Sequence, residues 1–512
     1  MTGADSQGGA PADAARRPQS SYQRPAGWAA PGAALVSSAA AEQIPDAAVL
    51  GRVHIMGIAG SGMSALARIM LARGVPVSGC EGRESATVQA LRELGADISI
   101  GHSLAHLDEA DTVVYTTAIN PKNFELVAAR EGGLRVLRRA SALAAMITGS
   151  RSVAIAGTHG KTTTTSLLTV AAQAAGLDPS FAIGANLHGS GVNGHVGTGE
   201  LFIVEADESD GSFLLLRPDL AVVTNVEADH LENHGDLEGV FRAFELFVDR
   251  IVPGGLLLSC SDDPGARRIA DYARGKGIRV RSYGEAADAD VRVSDISQLA
   301  NSVRFTVHGL ADRPQAFTVS ALIGRHMALN ATAALVLLTE LGADPAPVAQ
   351  AWQGFTGVDR RFEFHGEAAG VLVYDDYAHH PTEVRAELAA ARAVLSGGGG
   401  RLIAVFQPGT YSRTQTFAAE FGQALAVADS AVVLDIFAAR EEPIPGVSGA
   451  LIAEQVPLAP AQVVYEPDRN AVPARVADLA AAGDLVLTMG IGDVHLLCPL
   501  ILAELAERGS QQ

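Results

Sequence analysis

Apolar residues along this chain come in short unbroken runs separated by longer amphipathic stretches. Unbroken runs bounded by glycine, acid or Thr-Asn clusters read as strands buried on both faces. They predict strands at 49–58, 75–79, 112–117, 152–155, 201–204, 220–225, 371–374, 401–406, 430–435 and 484–489, with more polar ones at 279–282 and 303–307. Helical spacing appears at 63–73, 166–175, 236–250 and from 324 through 341. Within 236–250, Leu237, Val240, Phe241, Phe244 and Phe247 share one face, so that aromatic stripe is core. Strands alternating with helices predict parallel sheets and an α/β fold. Residues 1–46 carry no such pattern. Rich in Ala, Gly, Pro, Ser and Gln, they read as a disordered tail. The remainder divides into a Rossmann-like domain at 47–147, a P-loop ATPase-like α/β domain at 148–354 and a second Rossmann-like domain at 355–512.

The loops at the carboxyl ends of these strands carry the chemistry, because ligands of open α/β sheets bind there. After the 152–155 strand comes Gly157-Thr158-His159-Gly160-Lys161-Thr162-Thr163, a glycine turn opening a helix with Lys-Thr. Backbone N–H groups at such a helix start wrap phosphate oxygens. The lysine supplies charge for the outer phosphates, and the Thr162 hydroxyl can ligate Mg²⁺. The loop is shorter than usual, with Ile155 where the first glycine is expected. Two acidic strand ends, Glu205-Ala206-Asp207-Glu208 and Glu227-Ala228-Asp229-His230, meet it at one edge and predict a metal–phosphate site. Further upstream, Gly57-Ile58-Ala59-Gly60-Ser61-Gly62-Met63-Ser64 is a turn suited to a pyrophosphate, and Glu81 ends the next strand where a ribose or base would lie. Its glycine order is off for a nicotinamide fingerprint, and an oxidoreductase would leave the P-loop unexplained.

Composition narrows the options. A formal net charge of -19 disfavours nonspecific nucleic-acid binding and leaves anionic ligands to local sites. Cys80, Cys260 and Cys498 are widely spaced, which excludes a disulfide scaffold and fits a reducing cytosol. No apolar run is long enough to span a bilayer and no segment qualifies as a signal peptide. A cytoplasmic protein without membrane insertion is expected.

Taken together, GIAGSGMSALA, GTHGKTTTT, EADESDGSF, TNVEADHLENHGD, GVDRRFE, DDYAHHPTEV, FQPGTYSRT and DIFAAREEPIPGVSG make the chain resemble the Mur ligase family over 48–505. The resemblance implies a UDP-binding first domain, an ATP-binding middle domain and a third domain that closes on ATP and the amino acid. It implies that ATP phosphorylates the carboxylate of UDP-N-acetylmuramate and that L-alanine attacks the acyl phosphate. The alternative is the recycling branch that adds a tripeptide to the same sugar; Gly62-Met63-Ser64 matches the alanine branch. ATP is then a co-substrate, with two Mg²⁺ ions, small-molecule substrates, and a monomer or weak homodimer.

The implied residue roles follow motif by motif. Gly157, Thr158, His159, Gly160, Lys161, Thr162 and Thr163 bind ATP, with Asn330 and Arg361 at the adenine end and Asp376 at the ribose. Thr162, Glu205 and His230 hold metal. Gly57, Ile58, Ala59, Gly60, Ser61, Gly62, Met63 and Ser64 bind the UDP-sugar, with Glu81 at the uridine. Tyr377, His379 and Arg413 line the amino-acid side. Lys161, Glu205, His230, His379 and Arg413 carry catalysis, with His379 as candidate base. The chain departs from the family pattern at Met327, at Gly409 and Thr410, at Ile491, and in having Glu81 for the commoner Asp.

Overall fold

The computed structural model describes residues 44–116, 119–299, 301–395, 399–439 and 441–510. Residues 1–43 of the expected tail and Thr117 of the expected 112–117 strand lie outside the described residues. The first sheet has five parallel strands: β1 (Val53–Met56), β2 (Val77–Glu81), β3 (Asp97–Ile100), β4 (Thr112–Tyr115) and β5 (Arg135–Arg138). Their order is β3-β2-β1-β4-β5, so the direction of winding reverses at β1 and opens a crevice at its carboxyl end. The loop 57–60 lies there, followed by α1 (Ser61–Ala72). β1 starts later than the apolar run suggested. Asp46 accepts from Ala48 N–H to cap a turn at Ala47–Val49, and Gly51 turns the chain with φ 61°.

The second sheet has ten strands: β6 (Arg151–Ala156), β7 (Ser180–Leu187), β8 (Val192–His195), β9 (Leu201–Glu205), β10 (Leu220–Val223), β11 (Leu256–Cys260), β12 (Arg279–Gly284), β13 (Val291–Leu299), β14 (Ser302–His308) and β15 (Gln315–Ser320). The order is β15-β14-β13-β12-β11-β10-β6-β9-β7-β8. Strands from β13 to β7 run parallel, with antiparallel additions at both edges. The central strands are buried on both faces and appear in the sequence as apolar runs. β13 alternates buried and exposed positions, which is why no run marked it. α2 begins at Lys161 and ends at Ala174, because Thr162 to Thr165 are buried helix and not loop. α3 (Arg325–Glu340) packs along α2. The 345–355 link contains the helix Val348–Gln353, and its buried Trp352 donates Nε1–H to Leu167 O at 3.2 Å, docking the link on α2.

The third sheet holds β16 (Glu363–Ala368), β17 (Val371–Asp376), β18 (Leu402–Phe406), β19 (Ser430–Leu434), β20 (Val463–Glu466) and β21 (Leu485–Met489), in the order β16-β17-β21-β18-β19-β20. All but β16 run parallel. Its helices include α4 (Pro381–Leu395) and α5 (Tyr411–Leu425). The first two sheets share one apolar cluster, whereas the third has its own. α1 approaches β8 so closely that a Cβ on Gly194 would stand 2.6 Å from Ala65 O. Among the described residues, no helix is long and apolar enough to cross a membrane.

Candidate active site

The phosphate loop leaves β6 and is shaped by the neighbouring strand end. Gly157 has φ 136°, and a Cβ there would overlap Thr224 Oγ1. Gly160 has φ 83°, and a Cβ there would lie 2.7 Å from Asn330 Oδ1. Both positions therefore need glycine. Asn225 clamps the loop, its carbonyl accepting Thr158 N–H at 3.0 Å and its Oδ1 accepting His159 N–H at 2.8 Å. Thr224 Oγ1 donates to His159 O at 2.6 Å. No side chain caps the start of α2, so its N–H dipoles face the loop, as an anion requires.

Charge is concentrated where the loop meets the acidic strand ends. Lys161 Nζ donates to Glu208 at 2.8 and 3.1 Å and to Gly157 O at 2.6 Å. Burial works against its charge, but Glu208, Asp207 and Glu205 outweigh it and hold the ammonium above its ordinary pKa. Thr162 Oγ1 donates to Glu205 Oε2 at 3.3 Å, and Arg361 Nη2 donates to the same Oγ1 at 3.3 Å. Burial pushes the Glu205 carboxyl up. Thr162 and Glu205 offer hard oxygen donors beside the phosphate loop, and so fit Mg²⁺.

His230 stands at the second acidic strand end. It adopts φ 50°, with Nδ1 3.3 Å from Glu232 and Nε2 3.6 Å from Asp229. Burial opposes its charge, yet Asp229 and Glu232 raise it to about 9. Its charge faces Asp207 and Glu208. Arg413 is buried and donates to Asp229 Oδ1 at 2.6 and 3.2 Å. A narrow cleft between them is lined by Asp229, His230, Glu232, Ser412 and Arg413.

The third sheet closes over the phosphate loop. His159 reaches Glu383 and Glu227, Thr382 Oγ1 donates to Glu227 at 2.6 Å, and His380 Nε2 lies 3.2 Å from Ala228 O. Arg361 and Asn330, expected at the adenine end, both stand against the phosphate loop. Asp376, expected at the ribose, is enclosed: its oxygens accept Phe362 N–H at 2.8 Å and Ala378 N–H at 2.7 Å. Its carboxylate fixes the strained turn, with φ 58° at Arg360 and 49° at Phe362, that presents Arg361. The Tyr377 ring lies beneath both guanidiniums, 5.0 Å from Arg360 and 5.3 Å from Arg361. His379 Nδ1 meets Tyr377 O at 2.9 Å, and burial lowers its imidazole to about 4. It is neutral at pH 7 but a poor base for an ammonium.

The glycine loop of the first sheet is braced from β2 and from β8 of the second sheet. Gly57 has φ 71°; its N–H and that of Ile58 donate to Cys80 O at 2.9 and 3.2 Å. Glu81 accepts Ala59 N–H at 2.9 Å and Gly82 N–H at 2.8 Å, so it braces the loop. Ile58, Met63 and Ser64 are buried, which leaves Ala59, Gly60, Ser61 and Gly62 to meet a ligand. Asn193 of β8 donates to Ser61 O at 2.6 Å and Ser64 Oγ at 3.1 Å. Arg139 stands by Gly62, where a Cβ would lie 2.9 Å from its Nη1. Burial raises Asp207, but Lys161, Arg139 and His230 together hold it below its usual range. Sequence reading missed Asn193, Arg139, Asn225 and Glu383 as site residues. Asn225 and Glu383 lay inside quoted motifs, whereas Asn193 and Arg139 had no local signal.

Comparison with known proteins agrees with this geometry. Family models match 52–151 (Mur ligase family, catalytic domain), 155–338 (Mur ligase middle domain) and 360–492 (Mur ligase, glutamate ligase domain). A UDP-N-acetylmuramate–L-alanine ligase from Kineococcus radiotolerans is 52% identical over 468 residues, 91% of this chain and 98% of that one. Another of that name from Saccharopolyspora erythraea is 54% identical over 463 residues, 89% of this chain and 94% of its own length. The crystal structure of a UDP-N-acetylmuramate-alanine ligase from Thermotoga maritima superposes with a TM-score of 0.74 at 25% identity, covering 90% of this chain and 100% of that one. The chain belongs to the Mur ligase family.

Proposed function

We propose that this chain joins L-alanine to UDP-N-acetylmuramate at the expense of ATP, through an acyl phosphate, giving UDP-N-acetylmuramoyl-L-alanine, ADP and phosphate. The observation that carries the reading is the phosphate loop itself, with Lys161 on Glu208, Thr162 on Glu205 and Arg361 of the third domain on the same Thr162 hydroxyl. The first domain, 47–147, takes the UDP-sugar; the second, 148–354, takes ATP; the third, 355–512, closes on ATP and brings the amino acid.

A carboxylate is a poor electrophile because it is charged and lacks a good leaving group. The terminal phosphoryl group of ATP passes to it and removes both faults. The alanine amine then attacks the acyl carbon, and phosphate leaves. Lys161 and Arg361 counter the phosphate charge, and Mg²⁺ held by Thr162 and Glu205 would supply the Lewis acidity that carboxylate and ATP require to approach each other. We assign one Mg²⁺ to that pair, with His230 at the second acidic strand end as the candidate holder of another. Arg139 sits between the glycine loop and Asp207 and meets the acidic end of the sugar substrate. Arg413 and Tyr377 line the amino-acid side. His379 positions the loop, with Nδ1–H on Tyr377 O and its backbone N–H on Glu383 at 3.0 Å. Buried free thiols at Cys80, Cys260 and Cys498 support a cytoplasmic location.

The test is phosphate release from ATP with Mg²⁺, UDP-N-acetylmuramate and single amino acids. Release should require both sugar and amino acid, and L-alanine should lead. Absence of stimulation by either substrate would overturn the ligase assignment. Faster release with a tripeptide than with L-alanine would move the chain to the recycling branch.

A further inference from the structure

Beneath the glycine loop, the first sheet buries a second group of ligand-type side chains that the ligase reaction does not use. His54 on β1, Cys80 on β2, His106 in the turn Leu104–Leu107 and Glu125 in the helix Phe124–Glu131 bring one donor atom each within 4.8 Å of one another. His54, Cys80 and Glu125 are at most 1% exposed. Glu125 Oε1 lies 2.8 Å from His106 Nδ1 and 3.3 Å from His54 Nε2. Glu125 Oε2 lies 3.6 Å from Cys80 Sγ and 2.6 Å from His102 Nδ1. Zinc with tetrahedral nitrogen and sulfur ligands sets neighbouring donor atoms about 3.3–3.8 Å apart, so these side chains need only small adjustments.

A purely hydrogen-bonded network explains part of this group. Glu125 can accept from both His102 and His106. It holds His54 less well: Nδ1 meets Ser78 Oγ at 3.0 Å, while Nε2, fully buried and turned into the cluster, lies 3.3 Å from Glu125 Oε1 without the geometry of a hydrogen bond. In the tautomer with Nδ1–H on Ser78, the Nε2 lone pair faces the Glu125 carboxylate, an arrangement that a cation between them relieves.

We propose that His54, Cys80, His106 and Glu125 form a closed structural site for zinc, with His102 as an outer partner that holds the second oxygen of Glu125. Four protein ligands leave no open position, which marks a structural site. A sulfur and two imidazoles prefer zinc to Mg²⁺, so the site does not compete with the phosphate centre for its ion. The outer contacts, Ser78 on His54 and His102 on Glu125, are of the kind that orient metal ligands. The cation would pin the end of β2, on whose Cys80 carbonyl the Gly57 and Ile58 amides rest.

The full-length chain, stripped with a chelator, is titrated with Co²⁺ and read by absorption. One equivalent should give a sulfur-to-cobalt charge-transfer band with strong tetrahedral visible bands, displaced by Zn²⁺ and untouched by excess Mg²⁺ and ATP. Cys80→Ser should remove the charge-transfer band, and His106→Ala should weaken cobalt binding by at least about tenfold. Cys260→Ser, at another buried thiol, should leave the spectrum unchanged. The site is overturned by a titration without a sulfur band, or by a band that survives Cys80→Ser. Where Cys80→Ser does not fold, unaltered cobalt affinity in His106→Ala, whose side chain is partly exposed, overturns it equally.

Discussion

His159 Nδ1 lies 3.0 Å from Glu383 Oε1, which ties the phosphate loop of the second sheet to the first turn of α4 in the third. Glu227 faces the other ring nitrogen at 3.4 Å. Burial alone would depress this imidazole, yet the two carboxylates raise it to about 10 from 6.5. Stability from a raised group is complete below pH 6.5 and is lost as pH rises through 10. His379 behaves oppositely: burial lowers it to about 4, so its contribution is complete above pH 6.5 and is lost as pH falls through 4. The melting temperature should therefore peak near neutrality. His159→Asn should flatten the alkaline limb and leave the acid limb in place. Thermal melts across this range check it, and an alkaline limb unchanged in the variant would count against the pair.

Lys161 and Glu208 form a buried pair with opposite obligations. Removing the lysine takes away the charge that faces the phosphates, so Lys161→Ala should cost at least about 10²–10³ in kcat. It also strands a buried carboxylate, which typically costs ~3–5 kcal/mol. Lys161→Ala with Glu208→Gln should recover the melting temperature but no turnover. A double variant as unstable as the single one would show that the instability has another source.

Asn193 and Arg139 reach the glycine loop from outside it. Asn193→Ala removes donors to Ser61 O and Ser64 Oγ, and losses of about 1 kcal/mol per hydrogen bond predict a KM for the UDP-sugar raised roughly five- to thirtyfold, as one or both bonds bear on binding, with kcat little changed. Arg139→Ala should raise the same KM and lower kcat as well, because its charge also bears on Asp207. Initial rates at saturating ATP separate the two patterns.

Much of this arrangement was legible along the chain. Strands buried on both faces announce themselves as apolar runs, and strand ends in an open sheet must face the ligand, so the Lys161 loop and the Glu205 and Glu227 strand ends were located by rule. What stayed hidden depends on distance in sequence. β8 has no apolar run, so nothing marked Asn193. The resemblance placed Asp376 at the ribose, and nothing in the sequence showed that its oxygens take the Phe362 and Ala378 amides. His230 was legible as a site residue, but its close approach to Asp229 and Glu232 was not.

Gly409 and Ile491 are a further case, since the two departures from the family pattern turn out to be one packing unit. A Cβ on Gly409 would lie 2.5 Å from Ile491 Cδ1 and 2.7 Å from Cγ1. The isoleucine fills the volume that a side chain at 409 would occupy, beside the turn where Thr410 caps α5 and Arg413 reaches Asp229. Gly409→Ala alone should overpack this spot and cost ~1–3 kcal/mol. Ile491→Ala alone should leave a partly collapsible gap. Combined, the two should be less destabilising than their sum, with a coupling of about 0.5–3 kcal/mol. The double variant should also shift the ratio of kcat/KM between glycine, L-alanine and L-serine, because the pair backs the Arg413 cleft. Strict additivity in denaturant melts would show that the two residues do not share the space.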